Sequence, residues 1–317
     1  MKYQTKNSVW KYVALLSILV AVGFALLWRL DPTTNSELIS ENPYPLVDPA
    51  RSVIAQENYI INLTPLREEL RTMIAEGGAS STTLYFEFLN TGSNISINPG
   101  LKVWPASLAK LPLALSVVKK IERGTWSYDM KLVLEEDDRD TRSGTLGSHA
   151  MGTAFTVERL LEEMLVHSDN TAYQTLLGNM VSTDHDPLIY ETGLEELADS
   201  TGKTDAKEYS RLYRVLYTSS FLKRENSSKI LTWLVYTDFD RFLASGLESN
   251  VKFANKWGIN TGDHVYHDSG IVYIPGRPYI LTVMVQGDGS FGEEALVQDL
   301  MHDISERVYS YISSYEK

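Results

Sequence analysis

Strand-like segments near both ends of the chain enclose a helical middle, and this order restricts the possible fold more than any other feature of the sequence. A β-branched and aromatic run at 82–89 is followed by a turn at 90–94 and a short strand at 95–97. Three further strands are predicted at 252–257, 267–273 and 279–285. The sequence therefore predicts an α/β (α+β) fold: an antiparallel sheet flanked by helices, with an all-α lobe inserted between its two halves.

Apolar periodicity and capping residues predict the helices. Gly124 is positioned to end one of them, and Thr156 to cap the N-terminus of another. The predicted helices cover 65–76, 108–123, 157–166, 171–177, 205–217 and about 292–313. We therefore expect a sheet lobe at about 58–106 and 250–317, and a helical lobe at about 107–249.

An uncharged apolar stretch at 12–28 precedes the folded part of the chain. It is long enough, at ~1.5 Å per residue, to cross most of a bilayer core as a helix. Three lysines precede it and acidic residues predominate after it, which predicts a cytoplasmic N-terminus and an extracytoplasmic catalytic domain in a single-pass membrane protein. The expected segments are a cytoplasmic tail at 1–11, one transmembrane helix at 12–30, a proline-containing stalk at 31–57 and the domain at 58–317. A cleaved signal peptide is the alternative, although no small-x-small pattern follows the apolar stretch.

Charge and cysteine content exclude several classes of function. The part of the chain beyond Leu30 has 41 acidic and 25 basic residues, a net charge of −16, which would repel nucleic acid. The sequence contains no cysteine, so it has no disulfide framework, no thiolate nucleophile and no thiolate zinc site. His264 and His267 have no third ligand nearby in the sequence and are interpreted as a polar strand pair. We expect no nucleic-acid partner, no cofactor and no metal.

Ser107 and Lys110 form the first candidate site, within W-P-A-S-L-A-K at the start of a predicted helix. Two residues three apart on a helix lie on the same face, so an amine would approach a hydroxyl. A lysine among apolar neighbours can have its pKa lowered enough to act as a base for a serine nucleophile. By itself, this S-x-x-K pattern is common, and a capping serine followed by a solvated lysine is the more ordinary interpretation.

Two further motifs raise the specificity of that pattern. Ser168-Asp169-Asn170 lies at a corner between two predicted helices, and Lys256-Trp257-Gly258 lies at the end of a predicted strand. Motifs S-x-x-K, S-D-N and K-[ST]-G in this order are typical of class A β-lactamases and penicillin-binding proteins. From about residue 59 to its end, the chain resembles this family of serine hydrolases, and a β-lactamase/transpeptidase-like fold is expected.

The resemblance implies a role for each motif residue. Ser107 would be acylated, Lys110 would take its proton, and Ser168 would relay a proton to the leaving nitrogen. Asn170 would hold the substrate and Lys110, and Lys256 would bind the substrate carboxylate. Backbone N–H groups of Ser107 and Ile259 would form the oxyanion hole, with Trp257, Gly258 and Ile259 along the substrate.

The sequence departs from the family at two places. Trp257 stands where the family has a small hydroxyl residue, so it either narrows the cleft and weakens carboxylate binding or packs on the opposite face of its strand. The segment at 193–204 lacks the family's E-x-x-L-N run, whose glutamate activates the deacylating water. Glu191, Glu195 and Glu196 lie in that region and are interpreted as solvated surface residues. Without a positioned base, the acyl-enzyme should be long-lived.

Three hypotheses follow. The first is a serine hydrolase of the β-lactamase type that forms an acyl-enzyme on Ser107 and hydrolyses the C–N amide bond of β-lactams. The second is a D-Ala-D-Ala carboxypeptidase or penicillin-binding protein with slow deacylation. The third is a catalytically weak domain that binds cell-wall peptides, with Trp257 blocking the cleft. The expected partners are a small-molecule β-lactam or cell-wall peptide and, through the N-terminal helix, the membrane; the protein is expected to be a monomer.

Overall fold

The computed structural model describes residues 44–47, 61–79, 81–194 and 201–314. Within these ranges, no helix combines the length and the apolar character needed to cross a membrane. The predicted transmembrane helix at 12–30 and nearly all of the predicted stalk lie outside the described residues.

Eight α-helices and seven strands make up the described part of the chain. The helices are α1 (Thr64–Glu76), α2 (Lys110–Glu122), α3 (Val157–Val166), α4 (Asn170–Gly178), α5 (Asp186–Thr192), α6 (Ala206–Thr218), α7 (Arg224–Val235) and α8 (Glu293–Ser314). The strands are β1 (Ser81–Phe88), β2 (Ser93–Ile97), β3 (Lys131–Val133), β4 (Ala154–Thr156), β5 (Lys252–Asn260), β6 (Val265–Tyr273) and β7 (Tyr279–Gln286).

The main sheet has five antiparallel strands in the order β2-β1-β7-β6-β5. Its strands come from both ends of the described chain, which confirms the predicted α+β class and antiparallel sheet. β5 is one of the two edge strands and pairs with β6 alone among the described strands, so its other edge is free to form the wall of a site.

Two features of the middle differ from the prediction. The helical lobe is not entirely α-helical, because β3 and β4 pair there as a two-stranded antiparallel ribbon. Helices α5 and α7 were also not predicted. α5 has only seven residues, and the α7 sequence R-E-N-S-S-K begins without apolar periodicity, so tertiary contacts are needed to select both helices.

The sheet separates two apolar cores. One lies between the sheet and the helical middle, and the other lies between the sheet and the terminal helices α1 and α8. Because β6 and β7 are covered on both faces, they are buried along nearly their whole length. The sheet is therefore a rigid support for whatever lies along its β5 edge.

Pro112 lies near the start of α2 and does not interrupt the helix. Because α2 begins at Lys110, Pro112 is in the first turn, where a backbone N–H has no partner within an α-helix. The proline therefore costs no helical hydrogen bond.

Candidate active site

Ser107 lies in a short 3₁₀ turn, Ala106–Ala109, that leads directly into α2. Ala106, immediately before it, has a left-handed backbone with φ of 47°, which is unfavourable for a residue with a β-carbon. Leu108, immediately after it, is fully buried and fixes the turn against the core. Ser107 is thus presented at the mouth of the helical lobe by a strained turn held by a buried leucine.

Lys110 is the first residue of α2, and its ammonium is surrounded by oxygen acceptors. Nζ lies 3.2 Å from Ser107 Oγ, 3.0 Å from Ser168 Oγ and 2.6 Å from Asn170 Oδ1. It also donates to the Ser168 carbonyl at 2.5 Å. The S-x-x-K and S-D-N motifs therefore meet at this amine. The lysine is only 2% exposed.

Burial lowers the pKa of Lys110 to about 8, because the charged form loses hydration. The carboxylates of Asp169 and Asp140 oppose this shift, and the Arg142 guanidinium adds to it. An amine with this pKa is partly neutral near neutral pH and can accept the proton of Ser107.

The corner between α3 and α4 is built around Asp169. Its carboxylate caps α4 by accepting from Ala172 N at 2.7 Å, and it also accepts from Leu146 N at 2.8 Å. Gly144 packs so closely that a β-carbon there would lie 2.0 Å from Asp169 Oδ2. Ser168, with φ of 53°, is turned inward by this corner and is fully buried. The middle residue of the S-D-N motif thus holds the corner in shape, while its neighbours face Lys110.

β5 forms the second wall of the site. The strand was predicted to end at residue 257. It extends to Asn260, so Gly258 and Ile259 lie within it. A β-carbon at Gly258 would lie 3.2 Å from the Ser107 nitrogen, which shows how closely the strand approaches the nucleophile backbone. The absence of a side chain at position 258 allows this contact.

Lys256 is fully buried, and its ammonium lies 4.9 Å from the centre of the Trp257 ring. Burial and the nearby Lys110 charge both lower the pKa of Lys256 well below its usual value, while Asp268 opposes them. Its Nζ donates to the Trp257 carbonyl at 3.4 Å. Lys256 is therefore near the site but covered, and does not line the cleft.

Trp257 takes the packed orientation of the two that were considered. Its ring stacks on Phe239 with centroids 4.3 Å apart and an interplanar angle of 16°. It adjoins the apolar core shared with α1 and α8, although part of it still borders the cleft. Strand alternation agrees with this position, since the neighbouring Gly258 has its open side towards the Ser107 backbone and Trp257 projects from the opposite face of β5.

The cleft between the two walls has a volume of about 580 Å³. Ser107 and Lys110 lie on it, so the Ser107 hydroxyl is accessible and Trp257 does not close the cleft. The residues lining it are Trp104, Ala106, Ser107, Ala109, Lys110, Asp140, Arg142, Ser143, Asn170, Tyr173, Gln174, Trp257, Ile259, Asn260 and Thr261.

Two pairs of residues near the site were not found from the sequence. Asp140 and Arg142 form an ion pair on the cleft wall with Nη2–Oδ2 at 2.5 Å. The Asp140 carboxylate also accepts from the Asn170 side chain, and with the adjacent guanidinium this lowers the Asp140 pKa. Tyr209 and Tyr213, one turn apart on α6, are both buried. No sequence signal identifies either pair, because the cleft lined by Asp140 and Arg142, and the atoms contacted by the two tyrosines, come from distant parts of the chain.

The two tyrosines connect the walls of the site. Tyr209 Oη donates to the Leu108 carbonyl at 3.0 Å, directly after the nucleophile. Tyr213 Oη donates to the Ser269 carbonyl at 2.6 Å and accepts from Lys256 N at 2.9 Å. One helix therefore holds both the serine turn and the β5 strand at fixed positions.

The two histidines interpreted as a strand pair have separate surroundings. His264 lies in the turn before β6, next to Glu293, so the interpretation was wrong for this residue. His267 is fully buried in β6, with Nε2 2.8 Å from the Trp104 carbonyl and Nδ1 accepting from Val285 N. Burial lowers the His267 pKa to about 4, so the ring is neutral and donates to the segment that precedes Ser107.

The acidic residues considered as deacylating bases lie elsewhere or are not described. Glu191 is paired with Lys119 at 2.7 Å and Arg123 at 3.0 Å on the surface, which agrees with its interpretation as a surface residue. Glu195 and Glu196 lie outside the described residues. Among the described residues that line the cleft, Asp140 is the only carboxylate, and Arg142 and Asn170 already occupy it.

Comparisons with known proteins agree on one family. A model of the β-lactamase enzyme family matches residues 65–312. A β-lactamase regulatory protein, BlaB of Streptomyces cacaoi, is 28% identical over 139 residues; this match covers 44% of the chain, and the chain spans only 44% of that relative's length.

Solved structures share the fold. The structure of PBP-A has a TM-score of 0.72 at 21% identity, covering 80% of this chain and 97% of that one. A β-lactamase from Sphaerobacter thermophilus has a TM-score of 0.70 at 18% identity, covering 81% of this chain and all of that one. At these identities, the likeness establishes the β-lactamase/transpeptidase-like fold.

Proposed function

Because this chain belongs to the β-lactamase enzyme family, we propose that it is a serine hydrolase that forms an acyl-enzyme on Ser107 and opens the C–N amide bond of β-lactams. The observation that carries the proposal is the meeting of Ser107, Ser168 and Asn170 around the buried amine of Lys110. A capping serine followed by a solvated lysine would not show this burial.

In the acylation step, Ser107 Oγ attacks the lactam carbonyl while its proton passes to the neutral amine of Lys110, 3.2 Å away. The C–N bond then breaks, and the nitrogen takes a proton from the Ser168 hydroxyl. Lys110, 3.0 Å from Ser168 Oγ, returns the proton to that hydroxyl, so the relay ends with its charges restored. Asn170 keeps the amine in place throughout, through the 2.6 Å bond to its amide oxygen.

Negative charge that develops on the carbonyl oxygen needs donors in the cleft. The backbone N–H groups of Ser107 and Ile259 are the proposed oxyanion hole, supported by the close approach of β5 to the Ser107 nitrogen at Gly258. Lys256 is fully buried and does not line the cleft, so its amine is proposed to attract the substrate carboxylate from behind the β5 wall rather than by direct contact.

Mass spectrometry after incubation with benzylpenicillin tests the proposal. We expect one covalent adduct, located on the peptide that contains Ser107 and absent from Ser107→Ala. Ser310→Ala, at an exposed serine on α8 remote from the cleft, is the matched control and should form the adduct normally. Failure of several β-lactam classes to label the wild-type protein would contradict the proposal.

We also propose a second candidate function, a penicillin-binding D-Ala-D-Ala carboxypeptidase that releases the acyl group slowly. The supporting observation is that the one carboxylate among the described cleft residues, Asp140, is already held by Arg142 and Asn170. A solved structure that shares this fold is described as a PBP-A mutant in an acyl-enzyme complex with penicillin G. The time course of adduct loss distinguishes the two functions: loss within seconds indicates a β-lactamase, and persistence for many minutes a penicillin-binding enzyme.

The third hypothesis, a binding domain without catalysis, loses its motivation. It relied on Trp257 blocking the cleft, whereas the ring stacks on Phe239 and the cleft stays open to Ser107.

We further propose that residues 12–30 anchor the protein in a membrane with the catalytic domain outside the cytoplasm and that the domain is monomeric. The support is the uncharged apolar stretch and the three lysines before it. Membrane fractionation, followed by protease treatment of intact cells, tests the anchor and the orientation. Sedimentation of the detergent-solubilised chain tests the oligomeric state.

A further inference from the structure

Arg142 is the exposed cation of the cleft. Its side chain is 81% exposed, whereas Lys110, the other basic residue among the described cleft residues, is 2% exposed. Lys256 is fully buried and does not line the cleft. An anion that enters from solvent therefore meets the Arg142 guanidinium first.

The guanidinium is held in place rather than free to move. Nε lies 3.0 Å and 3.1 Å from the two Asp140 oxygens, and Nη2 donates to the same carboxylate at 2.5 Å. The Arg142 backbone nitrogen also donates to Asp140 at 3.0 Å. The Asp140 backbone is tied to α4 through the Thr171 hydroxyl, which bonds both its nitrogen and its carbonyl at 3.0 Å.

The ion pair leaves part of the Arg142 guanidinium available to donate hydrogen bonds beside Asn170. Asp140 occupies Nε and Nη2, and Nη1 donates to none of the described residues. Because the Asp140 carboxylate accepts from the Asn170 side chain, the guanidinium stands beside Asn170, on the wall opposite β5. A planar guanidinium with free N–H groups suits a carboxylate.

We propose that Arg142 is an anion subsite on the Asn170 wall and that the preferred acyl donors carry a carboxylate in the acyl side chain. The proposal rests on the acyl-enzyme chemistry of Ser107. The carboxylate shared by all penicillins is expected on the β5 wall, near Lys256, so a guanidinium on the opposite wall reaches a second carboxylate at the other end of the substrate. Trp257 supplies no hydroxyl to an anion on the β5 side, so the two walls of the cleft differ further in how they can bind a carboxylate.

Two penicillins that differ only by one side-chain carboxylate test the subsite. Acylation rates of the full-length protein are measured with benzylpenicillin and with its α-carboxy derivative, carbenicillin, and compared as a ratio. We expect the wild-type ratio to favour the carboxylated compound and to fall about five- to tenfold in Arg142→Gln, as for a charge-assisted hydrogen bond discounted for solvent exposure.

The ratio removes a second effect of the substitution. The Arg142 charge lowers the pKa of Lys110, so its loss slows acylation by both compounds equally. Arg142→Lys keeps the charge and should retain most of the ratio. Arg71→Gln is the matched control: it removes one exposed, ion-paired arginine from α1, outside the cleft, and should leave the ratio unchanged.

The outcomes separate this subsite from the proposed function. No adduct with either penicillin in the wild-type protein overturns the acyl-enzyme chemistry itself. Adducts with both, and a ratio that is the same in wild type and Arg142→Gln, overturn the subsite alone. An equal loss for both penicillins also overturns it, because Arg142 would then act only through Lys110 or on the shared carboxylate.

Discussion

The rate of acylation should rise steeply with pH, because only the neutral amine of Lys110 can take the Ser107 proton. Burial lowers the pKa of this lysine to about 8. The reactive fraction is then roughly 1% at pH 6, 10% at pH 7 and 90% at pH 9. Acylation should therefore accelerate by about two orders of magnitude between pH 6 and pH 9 and level off above that.

The measurement is the acylation rate constant at low penicillin concentration, obtained by rapid quench and mass spectrometry, with uncatalysed lactam opening subtracted at each pH. Asp140→Asn provides an internal check. The Asp140 charge raises the Lys110 pKa, so its removal should shift the whole profile to lower pH. Glu136→Gln removes a negative charge from the same loop but outside the cleft and should leave the profile in place.

A rate that is constant from pH 6 to pH 9, or that falls over this range, would refute Lys110 as the base. A shift of equal size in the Glu136→Gln control would instead show that the Asp140→Asn shift reflects overall charge rather than the charge of Asp140 near Lys110.

Three further predictions concern the framework of the site. Tyr213→Phe should destabilise the fold by about 1–3 kcal/mol in urea unfolding, since Lys256 N–H and a carbonyl lose their buried partner; Tyr279→Phe, at a buried hydroxyl without a described partner, should change stability by less than about 0.5 kcal/mol. Gly144→Ala should cost about 2–4 kcal/mol in thermal unfolding because of its clash with a buried carboxylate, against about 1 kcal/mol for Gly92→Ala, where the left-handed backbone faces open space. Trp257→Thr should lower stability by about 2–4 kcal/mol through loss of the stacked indole, without the faster acylation that unblocking a cleft would produce.

Local sequence was sufficient for much of the chemistry. The order and spacing of the S-x-x-K and S-D-N motifs identified residues that the fold brings to one amine, because each motif is a turn or helix start whose shape depends on near neighbours. Thr156 was predicted as an N-cap and accepts from Arg159 N at 3.2 Å. Most strands were also predicted, since β-branched and aromatic runs are a local signal.

The environment of those groups was decided by tertiary structure. The sequence allowed either of two orientations for Trp257, and the pairing of β5 with β6 beside Phe239 selected the packed one. The Lys110 pKa depends on how deeply α2 is buried, which no motif specifies. Both are long-range consequences of packing.

The residues missed altogether show the same division. Tyr209 forms a hydrogen bond to a residue 101 positions away in the chain, and Tyr213 to residues 43 and 56 positions away. Arg142 lines a cleft that is formed by distant segments. The sequence by itself determined which reactive groups the protein carries and the short spacings within each motif. Only the folded chain decided which of them are dry, which are exposed and how far apart they stand, because desolvation and charge interactions depend on distance in space rather than on position in the sequence.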